Sequence, residues 1–222
     1  MTSARLPQAL VAEAIGTALL LAAVVGSGIM AERLSGGNTG LALLANAIAT
    51  GGALVALIVT FGPVSGAHFN PLVSLAAAIE ARSWQPVLAY IPVQFAGAVL
   101  GVWLAHVMFG LPILQASSHA RASAGELAGE FTASFGLLGL IMSGQRHNPA
   151  ALPYAIAAYI TGAYWFTSST SFANPAVTVA RALTNSFAGI APEHVPGFVL
   201  AQLAGACAAI LLFGWLLARE GG

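Results

Sequence analysis

The sequence predicts an all-α membrane protein: six transmembrane helices plus two re-entrant half-helices, arranged as an inverted repeat. Three observations predict it. Residues 34–79 and 83–120 contain no Asp, Glu, Lys or Arg, in a chain of 222 residues that is 58% apolar and 6% charged. Soluble domains carry about 25% charged residues, so stretches like these belong in lipid. Two segments, Ser65-Gly66-Ala67-His68-Phe69-Asn70-Pro71 and Ser171-Phe172-Ala173-Asn174-Pro175-Ala176, set Asn-Pro between apolar runs. Three landmarks recur in the same order: Glu13 and Glu130, the two Asn-Pro pairs, and Gln94 and Gln202 inside Gln-Phe-Ala-Gly-Ala and Gln-Leu-Ala-Gly-Ala.

Spanning a bilayer takes about 20 apolar residues in a helix. The first span is expected at about 7–31. Arg5 ahead of an apolar run resembles a secretory signal, but the run from Leu6 to Met30 is too long for one and carries Glu13, so it is read as a retained span. The second is expected at 40–61, then a half-helix over 70–80, then the third span at 85–108. After a loop come spans at 124–144 and 151–167, a second half-helix over 174–183, and the last span at 195–218. Each half-helix begins at Asn, a good N-cap, followed by Pro, whose missing N–H costs nothing in a first turn. Each should reach about 15 Å, half a bilayer. An odd number of spans per half reverses the second half, giving an inverted repeat of about 1–109 and 122–222 within one domain, 1–222. Gly97 and Gly101 suit close packing of spans.

The net charge is zero, from seven Arg and seven Glu, which offers no footprint for a nucleic acid. Cys207 stands alone, which excludes an intrachain disulfide, and it is expected to be buried in the last span. No nucleophile–base set or metal-ligand cluster emerges, so no enzyme, cofactor or metal is expected. A cytoplasmic N-terminus places Arg5, Arg82, Arg146 and Arg219 inside against Arg33, Arg121 and Arg181 outside, a faint positive-inside bias.

Irregular backbone at membrane depth must pack in protein or line a wet cavity. The carbonyls before Asn70 and Asn174 are therefore acceptors along a path, and the two amides are donors to one solute at its centre. Half-helix dipoles put positive ends there, which disfavours cations and passes neutral solutes. Glu13 and Glu130 are either proton-coupling groups or acceptors that brace the loops, and their symmetric placement favours bracing. His68 is either a coupling group or a lining hydrogen bonder, the latter favoured. His106, His119, His147 and His194 are assigned to mouths or surface, and Gln94 and Gln202 to bonds across helices.

Ser-Gly-Ala-His-Phe-Asn-Pro at 65–71, Asn-Pro-Ala at 174–176 and Ala12-Glu13-Ala14-Ile15-Gly16-Thr17 resemble the aquaporin (major intrinsic protein) superfamily over essentially the whole chain. The resemblance implies the aquaporin fold, a pore in each protomer and a homotetramer in lipid. It makes Asn70 and Asn174 the pore centre, with His68 and Ala173 in the lining loops. Counting from the two asparagines sets the constriction at Thr50, Gly162, Ser171 and Val177. Val177 replaces the usual Arg and Thr50 the usual aromatic, while Leu72 replaces the Ala of the first motif. A wider filter without its bulky ring or cation follows. Arg181, one turn beyond Val177, either overhangs the outer vestibule or, the favoured reading, snorkels or pairs with Glu193. The implied function is passive passage of water and small uncharged solutes through the cell (inner) membrane, with both termini cytoplasmic. Neutral metalloid hydroxides such as arsenite fit a bacterial arsenic-resistance branch. A glycerol or polyol facilitator is the alternative, and a proton-coupled secondary transporter the alternative of another class.

Overall fold

The computed structural model describes residues 5–218, so Arg219 lies outside the described residues. The described residues form helices joined by turns and loops, with no strand among them. In order these are α1 (Leu6–Leu34), α2 (Thr39–Ser65), α3 (Pro71–Ala81), α4 (Gln85–Met108), α5 (Ala124–His147), α6 (Leu152–Phe166), α7 (Pro175–Arg181) and α8 (Val195–Leu216), with a single 3₁₀ turn, Pro192–His194, before α8. Five of them, α1, α2, α4, α5 and α8, are long and apolar enough to cross a bilayer. The 15 residues of α6 extend about 22 Å, so this span is short, as its sequence indicated. The half-helix α7 closes at Arg181, two residues before the sequence-based boundary.

Local chemistry sets the helix starts. The Asn38 side chain accepts from the Leu41 amide at 3.0 Å and caps α2. Ser123 and Glu126 form a reciprocal capping box at the start of α5. Pro sits in the first turn of α1, α3, α4, α6, α7 and α8, where no N–H is needed.

Packing repeats between the halves. Helix α1 lies against α2 and α4, and α5 lies against α6 and α8. Across the halves α2 meets α6, α3 touches α8, α4 touches α7, and the half-helices α3 and α7 meet each other. Small residues allow the closest approaches. A Cβ on Gly97 or Gly101 would run into the carbonyls of Ala14 or Ala18, and one on Gly205 into the carbonyl of Phe131. Gly97 and Gly205 are the fourth residues of the two Gln-x-Ala-Gly-Ala motifs, so the internal repeat preserves the contact as well as the letters. Cys207 corrects the sequence reading: it faces outward from α8, exposed.

Candidate functional site

The two Asn-Pro segments fold alike, residue for residue. Four, three and one positions before each Asn the backbone turns left-handed: Gly66, Ala67 and Phe69 in the first loop, Thr170, Ser171 and Ala173 in the second. Five of these six are not glycine, and Thr170 is β-branched. Such conformations persist where surrounding bonds over-determine them. A buried carboxylate supplies those bonds. Glu13 accepts from the amides of His68 at 2.9 Å and Phe69 at 2.7 Å, from Ser65 Oγ at 2.7 Å and from Gln94 Nε2 at 2.8 Å. Glu130 accepts from the amides of Phe172 at 2.8 Å and Ala173 at 2.9 Å and from Gln202 Nε2 at 2.6 Å. Gln94 and Gln202 each donate again, to Ser74 and Thr178 on the half-helices. Both carboxylates are fully buried, and their oxygens are taken up by donors from the first loop, the end of α2 and α4 for Glu13, and from the second loop and α8 for Glu130.

The asparagines face each other through the opposite loop. Asn70 Nδ2 donates to the Ala173 carbonyl and Asn174 Nδ2 to the Phe69 carbonyl, both at 2.8 Å. Their Oδ1 atoms cap α3 and α7, accepting from Leu72 and from Ala176. One hydrogen of each amide is thus used within the protein and one is left.

Both loops line a single cavity of about 480 Å³. It is elongated. Its lining runs along α2 at helical spacing through Thr50, Leu54, Ile58 and Gly62, about 18 Å, and along α6 through Ile156, Ile160 and Tyr164. Asn70, Asn174, His68, Ala173, Ser171 and Val177 all border it. His68 is half-buried, with Nδ1 3.0 Å from Ser74 Oγ and its ring edge-on to Tyr90.

Three sequence-based readings need correction here. Gly162 is absent from the lining. It lies two residues, about 200°, around α6 from Tyr164, which takes the place instead with its hydroxyl 3.3 Å from Thr50 Oγ1. An aromatic ring therefore borders the cavity beside Thr50. Arg181 neither snorkels nor pairs with Glu193. It is 2% exposed, borders the cavity, bonds the Ala188 carbonyl through Nε, and holds its guanidinium 3.3 Å above the Phe172 ring. His106 is fully buried rather than at a surface, bonding the Ile113 carbonyl and Thr184 Oγ1 and so tying two connections together. Arg121, in the connection before α5, also lies over Phe172 at 5.1 Å and donates to the carbonyls of Gly189 and Ser169. Burial pulls its pKa below the usual arginine value, while Glu126 and Glu130 act in the opposite sense.

Comparison with known proteins agrees with this geometry. The major intrinsic protein family model matches residues 1–167. The chain is 53% identical over 208 residues to the aquaglyceroporin AqpS of Rhizobium meliloti (strain 1021), covering 93% of this chain and 89% of that one. It is 34% identical over 143 residues to the aquaporin NIP1-4 of Oryza sativa subsp. japonica, covering 61% of this chain and 50% of the relative. In three dimensions it matches the aquaglyceroporin from Plasmodium falciparum with a TM-score of 0.66, covering 97% and 96% of the two chains at 18% identity, a likeness of fold. On the family match and the full-length relative together, the chain belongs to the major intrinsic protein family, as a multi-pass membrane protein with the aquaporin fold.

Proposed function

We propose that the protein is a passive channel for water and small uncharged solutes, including neutral metalloid hydroxides such as arsenite. One observation carries the reading: a single elongated cavity bordered by both Asn-Pro loops, with hydrogen-bonding groups set into apolar walls. Asn70 and Asn174 form its centre, each with one amide hydrogen free for a passing oxygen. Thr50, Tyr164, Ser171 and Val177 form the filter. Ser171 Oγ is buried without a partner among the described residues, so a solute hydroxyl there replaces a bond that the protein leaves unmade. Val177 contributes no donor and less bulk than a guanidinium, which favours solutes larger than water. His68 and Ala173 line the loops, and Glu13 and Glu130 brace them, since each carboxylate is bonded by loop amides.

The channel is one unit, 1–222, with halves 1–109 and 122–222. It sits in the cell membrane with cytoplasmic termini, surrounded by lipid and three copies of itself. The aquaglyceroporin name of the 53% identical relative supports glycerol and other polyols as a second class of solute. A transporter reading needs coupling groups, and both buried glutamates are occupied in holding backbone. Uphill solute accumulation driven by a proton gradient in sealed vesicles would put the transporter in the channel's place.

The test is Val177→Arg in proteoliposomes, with water, glycerol and arsenite followed side by side by stopped-flow light scattering. The added side chain narrows the filter. Arsenite and glycerol permeability should fall about tenfold or more, and water by less than about threefold. Equal losses for all three, or no change in any, reject the filter assignment.

A further inference from the structure

The described membrane half that holds α7 contains two buried arginines and one buried carboxylate. We propose that Arg181 is the residue that keeps cations out of the passage, standing one helical turn beyond the position that Val177 leaves uncharged. This rests on the channel reading and names the group that sets its charge selectivity.

Val177 and Arg181 lie four residues apart on α7 and both border the cavity. Arg181 is fixed rather than floppy. Phe172 lies beneath its guanidinium and the Ala188 carbonyl accepts from its Nε, while among the described residues it has no ion-pair partner. Its charge is therefore neither neutralised by a carboxylate nor carried away to solvent. Arg121, over the same Phe172 ring, bonds carbonyls and adds a second positive charge. The nearby buried acid is Glu130, whose oxygens are taken up by Phe172, Ala173 and Gln202. Glu126 opposes Arg121 from the half-buried start of α5 and Glu130 is spent on the loop, so Arg181 is the guanidinium that borders the passage without a carboxylate bonded to it. The other end has no counterpart among the described residues. There Val73 stands where Val177 does, three residues after its Asn, and Ala77 stands where Arg181 does. The repeat is broken at this one cationic position, on one side only.

A fixed charge in a narrow, poorly solvated passage is weakly screened, so an entering cation is repelled more strongly than at an open surface. A neutral hydroxylated solute feels no such repulsion and passes.

The experiment compares native protein, Arg181→Gln and Arg181→Lys in proteoliposomes. Glycerol permeability is read by light scattering, and proton and methylammonium entry by an entrapped pH dye. Native protein and Arg181→Lys should stay as tight to both cations as empty liposomes. Arg181→Gln should conduct glycerol within about threefold of native while cation entry rises about tenfold or more. The proposal is overturned if Arg181→Gln stays tight while passing glycerol, or if Arg181→Lys leaks as Arg181→Gln does. Native protein needs no substitution to speak: if it passes glycerol and leaks cations freely, the proposal also fails. Native protein that passes no glycerol, arsenite or water above empty liposomes removes the channel reading itself, a different result.

Discussion

Ser171 shows how finely the site depends on single side chains. Its hydroxyl is buried and unpartnered, while that of Thr50 reaches Tyr164. No cysteine borders the cavity, and Cys207 faces outward from α8. Mercuric ion should therefore leave water flux of the native protein almost unchanged, whereas Ser171→Cys should make flux mercury-sensitive and recoverable with thiol. Strong native inhibition that Cys207→Ser removes would instead place α8 beside the passage. At this scale the sequence was legible where bonding is local and misleading where it is not. Asn70 and Asn174 announce themselves, because an N-cap followed by Pro is a local rule. Tyr164 did not, because counting back from Asn174 assumes a fixed link, and the link after Phe166 presents Tyr164 rather than Gly162 to the cavity. The alternation of Ile156, Ile160 and Tyr164 at four-residue spacing was the available signal. For Arg181 the snorkelling reading was favoured over the vestibule one because a lone arginine is ordinarily taken to reach for water. Only the fold shows Phe172 beneath it and a loop closed over it.

Helices α1 and α4, and likewise α5 and α8, approach so closely that glycine is required where they cross. Lipid gives no hydrophobic drive for such contacts, so they rest on van der Waals fit. Gly97→Leu should cost about 1–3 kcal/mol through overpacking, and more if the Ala14 carbonyl cannot yield. Gly214→Leu, which meets open space, is the matched control. Thermal unfolding in detergent, followed by size-exclusion recovery, separates them. Equal midpoints would reject a tight crossing at Gly97. Helix positions were readable to within a few residues, because long apolar runs and Asn-Pro starts mark them. The exact end of α7 was not, because the turn after Arg181 is closed by bonds from distant chain, such as the Ser117 amide to the Ala182 carbonyl.

The molecule as a whole is two similar halves that share one cavity, and the inverted repeat was legible because Glu, Asn-Pro and Gln recur in the same order. What recurrence alone does not convey is how the halves are joined. We propose four such units per assembly, and native mass spectrometry of protein released in mild detergent should give four times the 22.4 kDa chain mass. A single chain mass, with undiminished flux after dilution to one copy per vesicle, would argue for independent channels. The reciprocal bonds from Asn70 to Ala173 and from Asn174 to Phe69 have a bearing on biosynthesis. A chain emerging from the ribosome inserts Phe69 and Asn70 a hundred residues before their partners exist. Until those arrive, a carbonyl and an amide hydrogen wait unmatched at a depth where water is scarce. The first Asn-Pro loop is thus finished by residues made about a hundred positions later, and a nascent chain arrested after α4 holds an unsettled loop.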